Sequence, residues 1–367
     1  MRSAPLLLFA GSLHGCGRTS PEMNGTSDGG TPPNATTVVQ ISGSAEHACA
    51  LRGDGRVWCW GWDLNSGLTT PLEVAGVTDA VEVAVTWDSA CARTVAGTVM
   101  CWDWAPTDAA SSVSGASAAP SVVAGISNVV QIAAGVVRCA RTGDGTIWCW
   151  GGSNTCGELG DGTTVPRNAP QPVVGIDHAT DVSVGETLAC ALREDGSAWC
   201  WGWDYVGALG LGTAAPDACT SPTSRPDPAA ALRPARVAGV EDARQISAGL
   251  HAACVLRRTG AVACWGWNTD GQVGDGTTTN RDAPVPVVDA TEETSVFSGY
   301  LVTCATRRAA AGRCWGLVDN NSAMTPTGID GLPGNVEQFT GGWEFVCGLV
   351  ERHVWCWGDR VRPARVL

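Results

Sequence analysis

The sequence predicts an all-β protein built from seven repeated units, and three observations lead to this fold class. Pairs of cysteines recur along the chain, and their first members lie 42, 48, 51, 64, 50 and 43 residues apart. A period near fifty residues indicates a solenoid or a propeller. The 47 Gly and 20 Pro among 367 residues are typical of short strands joined by turns. No stretch shows the apolar spacing of an amphipathic helix.

Each unit contains a hairpin, and the stretch ACALRGDGRVWCW at residues 48–60 shows its pattern. If residues 53–55 form a three-residue loop, Ala50 faces Trp58 and Cys49 faces Cys59. Such a loop needs a left-handed third residue, which glycine adopts at no steric cost. That position holds Gly55, Gly97, Gly145, Gly196 and Gly260, with Ala310 as the exception. In the last unit a two-residue loop at 351–352 still sets Cys347 opposite Cys356.

Opposed cysteines on paired strands lie within the reach of a disulfide, so we predict one disulfide in each hairpin. Buried free thiols are the alternative. Zinc is disfavoured because the spacing is not CxxC and nearby histidines are few. Two further cysteines, Cys156 and Cys219, either bond to each other or remain separate thiols. The predicted pairs are Cys49–Cys59, Cys91–Cys101, Cys139–Cys149, Cys190–Cys200, Cys254–Cys264, Cys304–Cys314 and Cys347–Cys356.

Tryptophan recurs at the end of most hairpins. Strand alternation places Trp58 and Trp60 on one side of the strand and Cys59 on the other. The indoles are therefore expected to pack between neighbouring units, and an aromatic ligand cage is the less favoured interpretation. The stretches are WCWGW (58–62), WCWGG (148–152), WCWGW (199–203), CWGWN (264–268), CWGLV (314–318) and WCWGD (355–359).

A second strand signal, a proline followed closely by Val or Ile, also occurs seven times. The last copy ends the chain, whereas none precedes the first hairpin. We therefore expect the C-terminal RPARVL to supply a strand that the first unit lacks, which would close a ring without an open edge. The copies are PLEV (71–74), PSVV (120–123), PQPVV (170–174), PARV (234–237), PVPVV (284–288), PTGI (326–329) and PARV (363–366).

Glycine-rich segments follow three of the hairpins: GGSNTCGELGDGTT (151–164), GWDYVGALGLGT (202–213) and GWNTDGQVGDGTT (266–278). With the hairpins, they make residues 38–367 resemble the RCC1 repeat family. The match is weaker in repeats 2 and 6, which lose the glycine-rich segment. The resemblance implies an RCC1-like seven-bladed β-propeller, and it implies structural roles for His47 and His251. It also favours a family turn over calcium binding in the Asp-rich loops, which lack an ordered ligand ladder.

The N-terminus is typical of an exported protein. Arg2 precedes the short apolar run APLLLFA, and LHGC ends at Cys16, so residues 1–16 resemble a signal peptide with a lipobox. An ordinary secretory signal or a misassigned start is the alternative. Residues 17–37 predict a flexible tether, and residues 38–367 the propeller. Seventeen cysteines also favour an oxidising compartment, that is, a bacterial outer-membrane lipoprotein or a secreted protein.

Charge and motifs disfavour several function classes. The net charge is −13 and Lys is absent, which disfavours nucleic-acid binding. Without an amine, neither a Walker loop nor a Schiff-base enzyme is available. The five histidines show no metal-ligand spacing, and HExxH does not occur. We therefore expect no catalytic residues, no metal and no cofactor.

The leading hypothesis is a monomeric, non-enzymatic binding module that holds a protein partner at a bacterial cell surface, with a lipid anchor as its membrane contact. The long insertion at 213–234 is the first candidate recognition surface. Resemblance to eukaryotic RCC1 proteins implies the alternative, guanine-nucleotide exchange on a small GTPase. A polysaccharide-processing enzyme would require convergent carboxylates. The sequence leaves open whether Trp87 and Trp343 are exposed anchors or core residues.

Overall fold

A computed structural model describes residues 36–63, 67–104, 119–213, 232–308, 310–318, 321–343, 345–358 and 361–367. These residues form seven antiparallel sheets, each built from consecutive strands that run outward from the centre in chain order. The predicted all-β, seven-bladed propeller is confirmed. No helix in these ranges is long and apolar enough to cross a membrane.

Each blade contains four strands in sequence order, and the first blade has one additional short strand, β4 (Gly67–Leu68). The innermost strands are β1 (Val38–Ser44), β6 (Ala80–Val85), β10 (Val129–Ala134), β14 (Ala179–Val184), β18 (Ala243–Ala248), β22 (Glu293–Ser298) and β26 (Val336–Gly341). The second strands are β2 (His47–Arg52), β7 (Ser89–Thr94), β11 (Arg138–Thr142), β15 (Leu188–Arg193), β19 (Ala252–Arg257), β23 (Val302–Arg307) and β27 (Phe345–Val350). The third strands are β3 (Val57–Asp63), β8 (Val99–Asp103), β12 (Ile147–Trp150), β16 (Ala198–Gly202), β20 (Val262–Gly266), β24 (Ala310–Val318) and β28 (His353–Gly358). The outer strands are β5 (Leu72–Glu73), β9 (Ser121–Val122), β13 (Gln171–Pro172), β17 (Ala235–Arg236), β21 (Arg281–Pro286), β25 (Asn321–Gly328) and β29 (Val361–Arg365).

The hairpins between second and third strands have the predicted register. Cys49 lies opposite Cys59 and Ala50 opposite Trp58, and Gly55 has a φ of 80°. In the seventh hairpin both loop residues, Glu351 and Arg352, have positive φ, so the shorter loop preserves the cysteine pairing. All seven predicted pairs are disulfide-bonded in the structure.

The sixth hairpin, which has Ala310 in place of glycine, reaches the same register by another route. Arg307 pairs with Ala310, so the loop is two residues long. The register then shifts between Ala305 and Arg307, and this irregularity restores the pairing of Cys304 with Cys314. The loop that needs a left-handed third residue is thus replaced by a tighter loop and a bulge.

Tryptophan packs between the blades, as predicted. Trp60, Trp201, Trp265 and Trp315 are almost fully buried, and the core consists of clusters that join adjacent blades. Three indoles donate hydrogen bonds of 2.9 Å to backbone oxygens of the preceding blade: Trp201 to Glu158, Trp265 to Ala208 and Trp315 to Gln272. The indole thus supplies apolar area and also satisfies a carbonyl of the glycine-rich loop.

A belt of polar side chains on the innermost strands also joins neighbouring blades. The Gln338 side chain of blade 7 accepts from Ile41 N of blade 1 and donates to Ile41 O, both at 3.0 Å. Gln245 makes the same pair of hydrogen bonds with Val296 of the next blade. At the equivalent position, the Asp181 carboxylate accepts from Ile246 N at 3.1 Å. Each side chain satisfies backbone groups on a strand that does not pair with its own sheet.

The predicted role of the last strand is wrong. Blade 1 already has an outer strand, β5, which pairs with β3. The C-terminal strand β29 pairs with β28 instead and is the outer strand of blade 7. Each Pro-Val segment supplies the outer strand of the blade whose hairpin precedes it in the chain, so among the described residues no strand is exchanged between the first and last blades. Val366 and Leu367 pack against the cluster shared by blades 7 and 1, and these side chains thus contribute to the closure of the ring.

Candidate binding face

The central tunnel opens on the face where the innermost strands end and turn into the second strands. We call this opening the tunnel mouth; it is lined by all seven blades. Small residues such as Ser42, Ala133 and Gly249 form most of its wall. Glu186 is the one charged side chain among the described residues that line it. The mouth is therefore a polar but nearly uncharged cup.

Backbone hydrogen bonds between turns of adjacent blades hold the tunnel mouth together. Val136 N donates to Gly185 O at 2.8 Å, Glu186 N to Gly249 O at 3.2 Å and Leu250 N to Gly299 O at 3.1 Å. At the junction of the last and first blades, Trp343 N donates to Ala45 O at 2.9 Å. Glycine is required for this approach, since a Cβ on Gly185 would lie 1.9 Å from Gly249 O. These turns are consequently linked to one another by their backbones, and we call this rigid set of linked turns the collar.

Exposed aromatic side chains surround the mouth. Trp87 is 57% exposed, Trp343 45% and Tyr205 36%, and the rings of Tyr300 and Trp343 lie 5.7 Å apart. We call these four residues the aromatic rim. Trp87 and Trp343 are thus exposed rather than core residues, which answers the question of burial that the sequence left open. Exposed tryptophan and tyrosine are the residues most enriched at binding hot spots.

Tyr205 belongs to a packed aromatic group at the edge of this face. It contacts Trp203 and His251 at 5.4 and 4.9 Å between ring centres, and His251 also lies 5.8 Å from Trp267. Thr187 Oγ1 lies 3.0 Å from Nδ1 of His251. Burial lowers the pKa of His251 to about 4. The imidazole is therefore neutral at physiological pH and serves as packing, in line with the predicted structural role.

His47 is held in a similar way on blade 1. Its ring stacks on Trp104 of blade 2 with the two centres 4.5 Å apart. Burial lowers the pKa of His47 to about 4 as well. Both histidines that precede a hairpin cysteine thus join neighbouring blades at the mouth face.

The opposite face has a different character. Its turns carry charged residues in ion pairs, such as Arg307 with Glu292 at 2.9 Å and Arg352 with Glu337 at 3.5 Å. Exposed pairs of this kind add little stability and leave the surface well hydrated. Val95, 69% exposed, is a large apolar side chain on this face. The two faces therefore differ in what they offer a partner.

The remaining predicted site residues are placed as follows. Cys16, the predicted lipidation site, and Cys219 lie outside the described residues. Cys156 is buried and disulfide-bonded. Most of the insertion at 213–234 also lies outside them; at its described end, Leu232 O accepts from Gly162 N of blade 3 at 3.0 Å.

The side chains of the Asp-rich loops are engaged within those loops. Buried Asn268 accepts from Val273 N at 2.9 Å and donates to Thr277 O at 3.0 Å. Asp275 accepts from Thr277 and from Arg281, and these partners hold the pKa of its carboxyl below the ordinary value although burial opposes them. These contacts explain the recurring Asn and Asp as turn-forming residues, as the resemblance implied.

Sequence reasoning missed that Trp87, Tyr300, Trp343 and Glu186 occupy one equivalent position. This position lies in the turn after the innermost strand, usually after glycine; it is four residues before the first hairpin cysteine in six blades and three residues before it in blade 3. Aligning the repeats on that cysteine would have shown a position whose residue type varies between otherwise similar repeats. The position holds Ala45, Trp87, Val136, Glu186, Leu250, Tyr300 and Trp343.

Family comparison identifies the repeats. The regulator of chromosome condensation (RCC1) repeat matches residues 38–66, 179–208 and 243–272 in one form and residues 144–192 and 259–306 in another. The chain carries RCC1 repeats. These matches fall on blades 1 and 3 to 6, and they agree with the glycine-rich segments that carried the resemblance.

Relatives with RCC1 repeats match parts of the chain. The ultraviolet-B receptor of Arabidopsis thaliana is 30% identical over 129 residues, 34% of this chain and 26% of that protein. The regulator of chromosome condensation of Drosophila melanogaster is 31% identical over 152 residues, 40% of this chain and 25% of that protein. This RCC1-repeat chain thus spans about a quarter of the length of these curated relatives.

Solved structures share the fold. Yeast RCC1, crystallised with Kap60, matches with a TM-score of 0.68 and 20% identity, over 83% of this chain and 78% of that one. The ectodomain of an Arabidopsis thaliana receptor kinase matches with a TM-score of 0.53 and 16% identity, over 90% and 97% of the two chains. At these identities the likeness concerns the propeller fold.

Proposed function

We propose that this RCC1-repeat propeller is a non-enzymatic binding module that holds a protein partner on its tunnel-mouth face. The observation that carries the proposal is the aromatic rim, whose Trp87 and Trp343 are both largely exposed. Exposed indoles around a concave centre are costly to leave in water and are typical anchors of protein interfaces. The ion-paired opposite face offers fewer such anchors.

The rigidity of the scaffold supports the same proposal. Tyr300 and Trp343 of the rim extend from turns that are linked by backbone hydrogen bonds between blades, and each blade contains a disulfide. A rigid surface loses little conformational entropy when it binds. The rim is therefore suited to tight binding without rearrangement.

The proposal also assigns the protein to an oxidising, extracytoplasmic compartment, as a bacterial surface lipoprotein anchored at Cys16 or as a secreted protein. The seven hairpin disulfides support this location, because such bonds persist outside the reducing cytosol. The ectodomain of the receptor kinase has a similar fold, and the proposed extracellular location is consistent with that likeness.

The binding proposal predicts a large effect of truncating the rim. The wild-type protein is used to capture and crosslink partners from the outer surface of its host, and affinity is then measured with each purified partner. Because a central tryptophan contributes about 2 kcal/mol or more, W87A and W343A should each weaken binding by roughly thirtyfold. V95A, an apolar truncation on the opposite face, should leave affinity unchanged. The proposal would be contradicted if V95A lost as much affinity as the rim variants, or if the rim variants lost none.

The location predicts a defined pattern in mass spectrometry of protein from its native host. Thiols are alkylated before and after reduction, and the N-terminal peptide is examined at the same time. We expect the fourteen hairpin cysteines to be alkylated only after reduction. We also expect the chain to begin at a lipid-modified Cys16. Free thiols together with an intact Met1 would place the protein in the cytoplasm and make an intracellular GTPase the partner to pursue.

A further inference from the structure

Glu186 occupies an unusual place in the tunnel mouth. It follows β14 in blade 4, and its backbone N is fixed by Gly249 O of blade 5. Its side chain extends to a blade that is not a neighbour, where its Oε1 accepts a 2.6 Å hydrogen bond from Ser44 Oγ of blade 1. The side chain therefore reaches across the mouth from blade 4 to blade 1.

The charge of this carboxylate has no counterion in the described part of the mouth, since Glu186 is the one charged residue in the lining there. The hydrogen bond from Ser44 uses one carboxylate oxygen. Burial raises the pKa of Glu186, whereas that hydrogen bond lowers it. An ionised carboxylate in a partly buried wall is costly unless a cation compensates it.

Aromatic residues line the same mouth as this carboxylate. Trp343 N bonds to Ala45 O, and Ala45 directly follows Ser44, the residue that donates to Glu186. Tyr300 and Phe297 line the same mouth. A carboxylate next to aromatic faces is the combination that a guanidinium group recognises, because it binds carboxylates and stacks on aromatic rings.

Acidic residues on the surface around the mouth also favour a basic partner. Exposed Glu46, Asp88 and Asp103 lie on this face, and Arg138, which lies 3.4 Å from Asp88 and 3.8 Å from Asp103, is largely covered. The chain as a whole carries a net charge of −13. An acidic surface attracts basic partners and concentrates them at its cleft. The cavity of the mouth is about 60 Å³, which is room for a few waters or the end of one side chain rather than for a domain.

We propose that the tunnel mouth is an arginine-binding pocket, which takes an arginine side chain of the protein partner between the Glu186 carboxylate and the rings of Tyr300 and Trp343. This inference rests on the proposed function and names the chemistry of its partner: a basic loop with an arginine at its tip. The rim residues then contact the rest of that loop.

The test uses the oxidised full chain and N-acetyl-arginine amide as the probe, with the neutral isostere N-acetyl-citrulline amide as the matched ligand control. Binding is followed by NMR through the indole Nε1–H signal of Trp343, assigned with W343F. In the wild-type protein the arginine probe should shift this signal saturably, and the citrulline probe should not. E186Q, which keeps an acceptor for Ser44, should weaken binding at least tenfold. E241Q, on the opposite face, should bind as the wild-type protein does.

Three results would overturn the inference: equal affinity for the two probes, unchanged affinity in E186Q, or no saturable shift. Thermal unfolding of E186Q establishes that the variant is folded. A captured partner separates this inference from the proposed function. If W87A and W343A lower the affinity for that partner while E186Q does not, the proposed binding face is supported and the arginine pocket is refuted. If none of the three variants lowers that affinity, the proposed binding face is refuted as well.

Discussion

Removal of residues 362–367 is expected to lower the free energy of unfolding by about 4 kcal/mol, from lost strand pairing together with lost apolar burial. Trp355 and Cys356 would lose their partners on β29, and Val354 would lose its backbone hydrogen bonds to Val366 and Leu367. Val366 and Leu367 also pack against the cluster that joins the last blade to the first. The truncation therefore weakens blade 7 and the closure of the ring together.

Denaturant unfolding under oxidising conditions measures this effect, with removal of residues 17–35 as the control. Those residues belong to the predicted tether, so their loss should leave the unfolding midpoint unchanged. A chain shortened at the C-terminus that unfolds at the wild-type midpoint would show that closure does not depend on these side chains. Substituting only Val366 and Leu367 with alanine separates the packing contribution, which should be the smaller part.

The local features of the fold were predictable because they depend on residues close in sequence. The spacing of Cys49, Gly55 and Cys59 determines both the loop and the register, and the structure confirms it. The outer strands were also found at their proline-marked positions, since each is a short local signal. The hairpin at Ala310 shows the limit, because the sequence marks the missing glycine but not the bulge that replaces it.

Long-range partners were not predictable in the same way. Nothing near β29 in the sequence distinguishes pairing with β28 from pairing with blade 1, and counting repeats favoured the wrong blade. The Gln338 and Gln245 belt depends on the distance between innermost strands, which the ring geometry alone sets. A recurring polar residue before each hairpin was nevertheless visible in VVQI and RQIS.

The candidate site likewise combines residues visible in the sequence with contacts that only the folded ring creates. Trp87 and Trp343 lie outside the repeated aromatic positions, so exposure and burial were equally compatible with the sequence. Only the ring places the turns of seven blades around one opening, which brings Glu186 of blade 4 to Ser44 of blade 1. The site is thus a product of closure, and its residues are far apart in the chain.

Gly185→Ala is expected to destabilise the protein by about 3 kcal/mol, since overpacking against a fixed neighbour costs roughly 1–3 kcal/mol or more. The new Cβ would lie 1.9 Å from the Gly249 backbone oxygen, so blades 4 and 5 would have to separate at the mouth. The hydrogen bond from Glu186 N to Gly249 O would break with that movement. Partner binding should therefore weaken together with stability, because Glu186 and Leu250 move apart.

Gly328→Ala is the matched control for this substitution. A Cβ at Gly328 meets nothing within 4 Å, and its backbone is not left-handed, so the variant should unfold within about 0.5 kcal/mol of the wild-type protein. Equal stability of the two variants would show that the turns of the mouth shift at little cost. The collar would then not be rigid, and binding through a preformed rim would lose its structural basis. A selective loss in Gly185→Ala instead ties the rim to the close approach of blades that glycine permits.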